Sequence, residues 1–108
     1  MNNLNSFIVE GTVCTEPINF KFWGDIPSIQ FNIVSVLIDK VADPGSTIEK
    51  ERETRSFFPV HAHGKLAEKL QEELRLDDRV RVIGKVLARE GMPIIVIADH
   101  VELQAPRR

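Results

Sequence analysis

The chain changes its hydrophobic period at one place, and that change limits what it can fold into. Residues 57–76 read Phe-Phe-Pro-Val-His-Ala-His-Gly-Lys-Leu-Ala-Glu-Lys-Leu-Gln-Glu-Glu-Leu-Arg-Leu. The first part is aromatic and β-branched, as strands are. In the second part Leu66, Leu70 and Leu74 recur four apart with Ala67 beside them, which is one narrow apolar stripe on a helix. Gly64 separates the two periods. Everything before this stretch reads as strand, and so does everything after it.

In chain order, 6–14 is the first predicted strand, interrupted by Gly11, where a bulge or sharp bend is expected. Small barrels close through such bends. Pro17 then restricts the chain to an edge or an irregular path, and Phe20, Phe22 and Trp23 run into a turn signal at Gly24-Asp25. The second strand, 28–38, alternates Ile29, Phe31 and Ile33 with Ser28, Gln30 and Asn32, so one face is buried. From Val34 to Ile38 the alternation fades, as if the barrel or a partner covered both faces. Residues 39–53 are polar around Asp43-Pro44-Gly45-Ser46 and read as a long, mobile loop with a solvated strand start at its tail. The third strand, 54–63, holds Pro59, which argues for an edge or a bulge. After the helix and Asp77-Asp78, the fourth strand, 79–89, alternates cleanly. Val80, Val82, Gly84, Val86 and Ala88 share one face, while Arg79, Arg81, Lys85 and Arg89 line the other. Glu90-Gly91 predicts a tight hairpin into the fifth strand, 93–103. The sum is an all-β fold with one helix: a five-stranded Greek-key barrel of the OB type, its helix between strands three and four.

Length and composition set the outer limits. One core suits 108 residues, so one domain over 1–104 and a short tail at 105–108 are expected. No apolar run approaches the ~20 residues of a membrane span. Residues 1–6 lack the basic and apolar regions of a signal peptide. Cys14 is the lone cysteine, which excludes an internal disulfide and fits a reducing, cytoplasmic setting. The net charge is −2, but charge is unevenly placed: residues 1–50 hold three basic and six acidic residues, and 51–108 hold eleven and ten. Any basic surface must come mainly from the second half. No nucleotide-binding glycine loop, nucleophile–base pair or carboxylate pair in an apolar setting is present, so no enzyme activity and no cofactor are expected.

The motifs also resemble a known family, the bacterial single-stranded-DNA-binding proteins (SSB) with their PriB-like relatives, over nearly the whole chain. Gly11-Thr-Val-Cys-Thr-Glu-Pro17 is similar to that family's Gly-x-Leu-x-x-Asp-Pro, and Phe31 falls at its expected distance. Phe57-x-x-Val60-x-x-His63-Gly64-Lys65-Leu66-Ala67-Glu68 is similar to Trp-x-x-Val-x-x-Phe-Gly-Lys-Leu-Ala-Glu, and Val80-x-Val82-x-Gly84-x-Val86 to Val-x-Val-x-Gly-x-Leu. The resemblance implies an OB-fold that binds single-stranded DNA with little sequence preference in replication, recombination and repair, as a homotetramer. It places Phe57 and His63 at base-stacking positions and keeps Lys65 beside the strand exit. The chain departs from the family at the short turn Glu90-Gly91, where a tryptophan is often found, and near Asp39, where another often sits. It also lacks the long tail with an acidic tip that recruits partner proteins. A PriB-like primosomal protein, or a protein-interaction module with weak DNA binding, is the alternative.

Single-strand binding needs flat side chains for stacking and cations along the backbone path. Phe57 and Phe58 are adjacent, so one points to the core and the other outward. Phe57 is expected outward, facing DNA; the alternative is a core phenylalanine. His61 and His63 share a strand face and could be half of a metal site, a solvent-facing pair, or a stacking and phosphate-binding element; with no other clustered ligand, no metal is expected. Trp23 is either a stacking platform or a lid on the core. Arg81, Lys85 and Arg89, with Arg79, could bind phosphates, or form a solvated face, or meet a second subunit. Arg55 and Arg52 carry the same alternatives. The expected partners are single-stranded DNA, further copies of the chain (a tetramer ahead of a dimer) and replication or repair proteins. The oligomer follows from the apolar run Val34–Ile38 and from open strand edges, which pairing between subunits removes.

Overall fold

The computed structural model describes residues 5–42, 44–45 and 49–104. The expected tail at 105–108, and most of the stretch read for a signal peptide, lie outside them. The element order is β1 (Phe7–Val13), β2 (Ile18–Phe22), β3 (Ile26–Ala42), β4 (Glu49–His63), α1 (Gly64–Glu73), β5 (Arg79–Leu87) and β6 (Ile95–Leu103). Neighbours in the sheet run β1-β5-β6-β4-β3-β2, and β1 pairs back onto β3 at Thr12↔Val34 and Val13↔Ile33. That second pairing closes β1, β5, β6, β4 and β3 into a barrel. The result is the expected OB-fold, with β2 as an added strand hairpinned onto β3.

Alternation selects the core. Val9, Val13, Ile29, Phe31, Ile33, Val60, Ala62, Val80, Val82, Val96, Ala98 and Val101 fill the barrel. Ala67, Leu70 and Leu74 close one end, with Leu66 packed at the margin. The helix stops at Glu73 rather than running to 76, and Leu74 still donates its N–H to the Leu70 carbonyl at 2.8 Å. Leu74 therefore keeps its place in the apolar stripe while capping the helix.

Two close approaches need glycine. A Cβ on Gly11 would lie 2.5 Å from the Val34 carbonyl oxygen, so this residue lets β3 cross β1 where the barrel closes. A Cβ on Gly84 would lie 2.1 Å from the Ile97 carbonyl oxygen, beside the register shift in the β5–β6 ladder.

The structure departs most from the sequence expectation in three places. The loop expected over 39–53 is mostly strand: β3 and β4 pair without a break from Ser28↔His63 to Ala42↔Glu49. Beyond Ser35↔Ser56 this ribbon buries little, so its ladder and cross-strand pairs such as Asp39–Arg52 (3.8 Å) accompany it where apolar burial does not. Val36, Leu37 and Ile38, expected to be covered, are exposed on this arm in the single chain. The tight hairpin at Glu90-Gly91 is instead a longer connection over 88–94, because Pro93 has no N–H to continue the ladder and the strands part after Leu87↔Ile95. The third departure is β2 itself, whose alternating Ile18, Phe20 and Phe22 pair with Gln30, Ser28 and Ile26.

Gly84→Ala should lower stability by about 1–3 kcal/mol through forced overpacking against strand backbone. Denaturant unfolding of the two proteins measures it, and an unchanged midpoint would contradict the close β5–β6 approach.

Candidate nucleic-acid interface

The register of β4 sets the candidate site. Val60 and Ala62 point into the core, so Arg55, Phe57, Pro59, His61 and His63 point out. No bulge interrupts the pairing, since Pro59 stands opposite Asn32 in an unbroken ladder. Asn32 directs its own backbone groups away from β4: its N–H bonds Thr15 Oγ1 at 2.9 Å and its carbonyl accepts from the Cys14 N–H at 2.9 Å. The missing N–H of Pro59 therefore falls where β3 asks for none. Plain alternation keeps Phe57 and His63 on one face.

A row of residues crosses three strands there: Phe20 on β2, Ser28 on β3 and His63 on β4. Ser28 is fully buried, with Oγ 2.7 Å from His63 Nδ1 and 3.3 Å from the Ile26 carbonyl oxygen. A hydroxyl has one proton, so when it donates to Ile26 the imidazole Nδ1–H donates to it, which selects the tautomer of His63. Behind this row, Gln71 Nε2 of α1 donates to the Ser28 carbonyl at 3.2 Å and ties the helix to the site.

Rings gather around the row. Phe22 lies over His63 with centroids 5.1 Å apart and planes 33° from parallel. Phe20 meets His61 and His63 edge-on at 6.2 and 6.4 Å, and the two imidazoles are 6.4 Å apart. Opposite them, Ile95 and Ile97 of β6, Leu87 of β5 and Arg89, Met92 and Pro93 of the 88–94 connection complete a cleft of about 260 Å³. That is below the ~300–1,000 Å³ of pockets that engulf drug-sized ligands, and suits one flat ring. Burial, and then the neighbouring His63, push the pKa of His61 below the usual imidazole value.

The sequence-expected residues divide into groups. His63 is in the cleft, and Arg89 lines its rim. Phe57 shares the same strand face and is 64% exposed, while Phe58 packs inward against Phe7 at 5.5 Å. Trp23 is 81% exposed at the β2–β3 turn, its ring edge-on to Phe22 at 5.7 Å, so it is no lid on the core. Lys85 is exposed and pairs opposite Ile97, one strand beyond the cleft floor. Arg55 is on the Phe57 face with Nε 2.8 Å from Glu53 Oε1. Lys65 lies with Glu68, Lys69 and Glu72 on the outer side of α1. Arg81 stands apart, between Glu10 (2.6 Å) and Glu102 (3.6 Å); hydrogen bonding and charge from Glu10 raise its pKa, and Arg81 holds that of Glu10 below the usual carboxylate value. The sequence reading missed Phe20 and Phe22 as site residues. Their signal was present, since Ile18, Phe20 and Phe22 alternate with Asn19 and Lys21. Met92 and Pro93 had no such signal, because a connection has no period.

No protein-family model matches the chain, and no curated protein matches it significantly. Solved structures are similar in fold. A single-stranded DNA-binding protein from Plasmodium falciparum in complex with single-stranded DNA superposes with a TM-score of 0.79 at 15% identity, covering 95% of each chain. A deletion mutant of the single-stranded DNA-binding protein from Thermus aquaticus gives 0.76 at 21% identity over 96% of this chain. This chain spans about half, 52%, of that protein. PriB from Ralstonia solanacearum gives 0.71 at 14% identity, covering 95% of this chain and all of that one. These likenesses establish the OB-fold that such proteins share.

The position of His61 makes free-protein stability depend on pH. The unfolded chain takes up this proton near pH ~6.5, before the folded chain does. Its contribution is present above that value and is lost as pH falls through the lowered folded-state pKa. Thermal midpoints should fall on acidification across this window, and His61→Gln should flatten the fall.

Proposed function

We propose that this chain binds single-stranded DNA with little sequence preference, as a member of the SSB and PriB-like group. The observation that carries the reading is the exposed aromatic track from Phe57 to the cleft of Phe20, Phe22, His61 and His63, with Trp23 at its end. Every base has a π-face, so such a track holds bases without reading them. Arg89 and Lys85 flank the cleft as cations for the backbone, and Lys65 follows His63 after Gly64, at the start of α1. The pairing of Arg81 with two carboxylates argues against a phosphate role for it. Covering exposed strands in replication, recombination and repair, in the cytoplasm, is the corresponding role.

The arm formed by the far halves of β3 and β4 supports an oligomer, with a tetramer ahead of a dimer. Val36, Leu37 and Ile38 are exposed there, and a second copy would cover them. The same arm favours the second reading, an interaction module in the manner of PriB. Arg55 and Arg52 on it are both engaged by carboxylates, which leaves them less available to phosphate. Solution mass at micromolar concentration tests the oligomer, and a stable monomer would refute it.

Titration with an oligo-thymidine of about 35 nucleotides at low salt tests the main reading, with quenching of Trp23 fluorescence as one readout. Phe57→Ala should weaken binding by about 1–3 kcal/mol, roughly five- to 150-fold. Arg89→Ala and Lys65→Ala should each weaken it evenly across sequences and lower the salt slope by about one ion. Duplex DNA should bind far more weakly, since paired bases hide their faces. No binding at roughly tens of micromolar protein would transfer the case to the interaction module.

A further inference from the structure

The cleft contains two titratable rings and, among the described residues, no anion to balance the charge they gain on protonation. His61 and His63 stand 6.4 Å apart on one strand face. The groups around them, element by element, are few. β2 contributes Phe20 and Phe22, and β6 contributes Ile95 and Ile97. β3 places Gln30 opposite His61 and Ser28 opposite His63. The 88–94 connection contributes Arg89, a fixed cation, and Lys85 of β5 stands one strand further on. α1 brings Lys65 at its start and Glu68, which with Lys21 lines a separate groove on Phe20, outside the cleft. Among the described residues no carboxylate lines the cleft. His100, by contrast, sits elsewhere on β6 with its Nε2 3.4 Å from Glu102.

Protonation here therefore creates positive charge in a half-buried apolar setting, beside other cations and without a counter-charge. A nucleic-acid backbone brings one. We propose that single-stranded DNA entering this cleft takes up protons on the His61–His63 pair, so that mild acid tightens its grip on DNA. This rests on the single-strand reading above and adds to it a proton-linked control of the same site. The direction follows from linkage: if the complex binds more protons than its free components, affinity rises as pH falls. The low pKa of free His61 supports this, because it leaves the ring unprotonated near neutrality and able to accept a proton when a phosphate arrives. Acid thus has opposite effects on the two states, destabilising the free fold through His61 while favouring the complex.

The test is titration of the full chain with oligo-thymidine at constant salt from about pH 8 to about pH 5.5, a range that spans imidazole titration. Thymine takes up no proton there. Affinity should rise toward acid, with a limit of about tenfold per pH unit for each proton taken up. Calorimetry in two buffers of different ionisation heat, on the unmodified protein, should show net proton uptake on binding. The double variant H61Q/H63Q should lose the slope, and H100Q should keep it. Binding that is present but flat with pH, or a slope and proton uptake that survive in H61Q/H63Q, would overturn the proposal and leave the single-strand reading standing. Absence of binding at every pH would defeat both.

Discussion

The unbroken antiparallel ladder between β3 and β4 is the constraint on which the rest depends. Its register puts Ile29, Phe31, Ile33, Val60 and Ala62 in the barrel, and by the same alternation puts Phe57, His61 and His63 outside. A slip of one residue would exchange the two sets, exposing the core and burying imidazoles. Fold and site are thus two faces of a single pairing. Pro59, which would break most central strands, fits because Asn32 turns its backbone groups to Cys14 and Thr15, just past β1, instead.

The electrostatics follow from where that pairing sends charge. A net charge of −2 looks unfavourable for a nucleic-acid binder. The acidic partners, however, cluster away from the cleft: Glu10 and Glu102 hold Arg81 at one end of the barrel, and Glu53 holds Arg55 on the arm. Among the described residues, the cleft keeps only Arg89 and the two histidines as ionisable groups. Local charge, not total charge, governs what approaches it.

What was legible in the sequence depended on burial. The helix stripe and the strands that fill the barrel could be read because a buried face needs a regular apolar period. The arm could not, because residues 40–42 and 49–53 are exposed on both faces and Asp39 is only half-buried, and a solvated ribbon has the composition of a loop. For the site, adjacency required one of Phe57 and Phe58 to be core, but only the family resemblance chose Phe57 as the outward one. The convergence of Phe20 and Phe22 on His63 was not, because it requires β2 to fold back on β3, and the pairing partner of a short edge strand has no local signature. The contribution of Arg89 was visible only as part of a basic stripe; the structure separates it from Arg81 because the strand ends at Leu87.

The barrel has two narrow seams, β1–β3 and β4–β6, each of two residue pairs, and the second lies under the cleft. β4 and β6 meet in parallel over only Val60↔Val96 and His61↔Ile97, whereas their other neighbours share long antiparallel ladders. The floor of the cleft crosses that seam, with His61 on one bank and Ile97 on the other. A short pairing of this kind is where local opening comes most readily. Whatever occupies the cleft touches both banks at once, and so acts as a rivet across the joint: occupancy of the surface and slower breathing of the interior become one event.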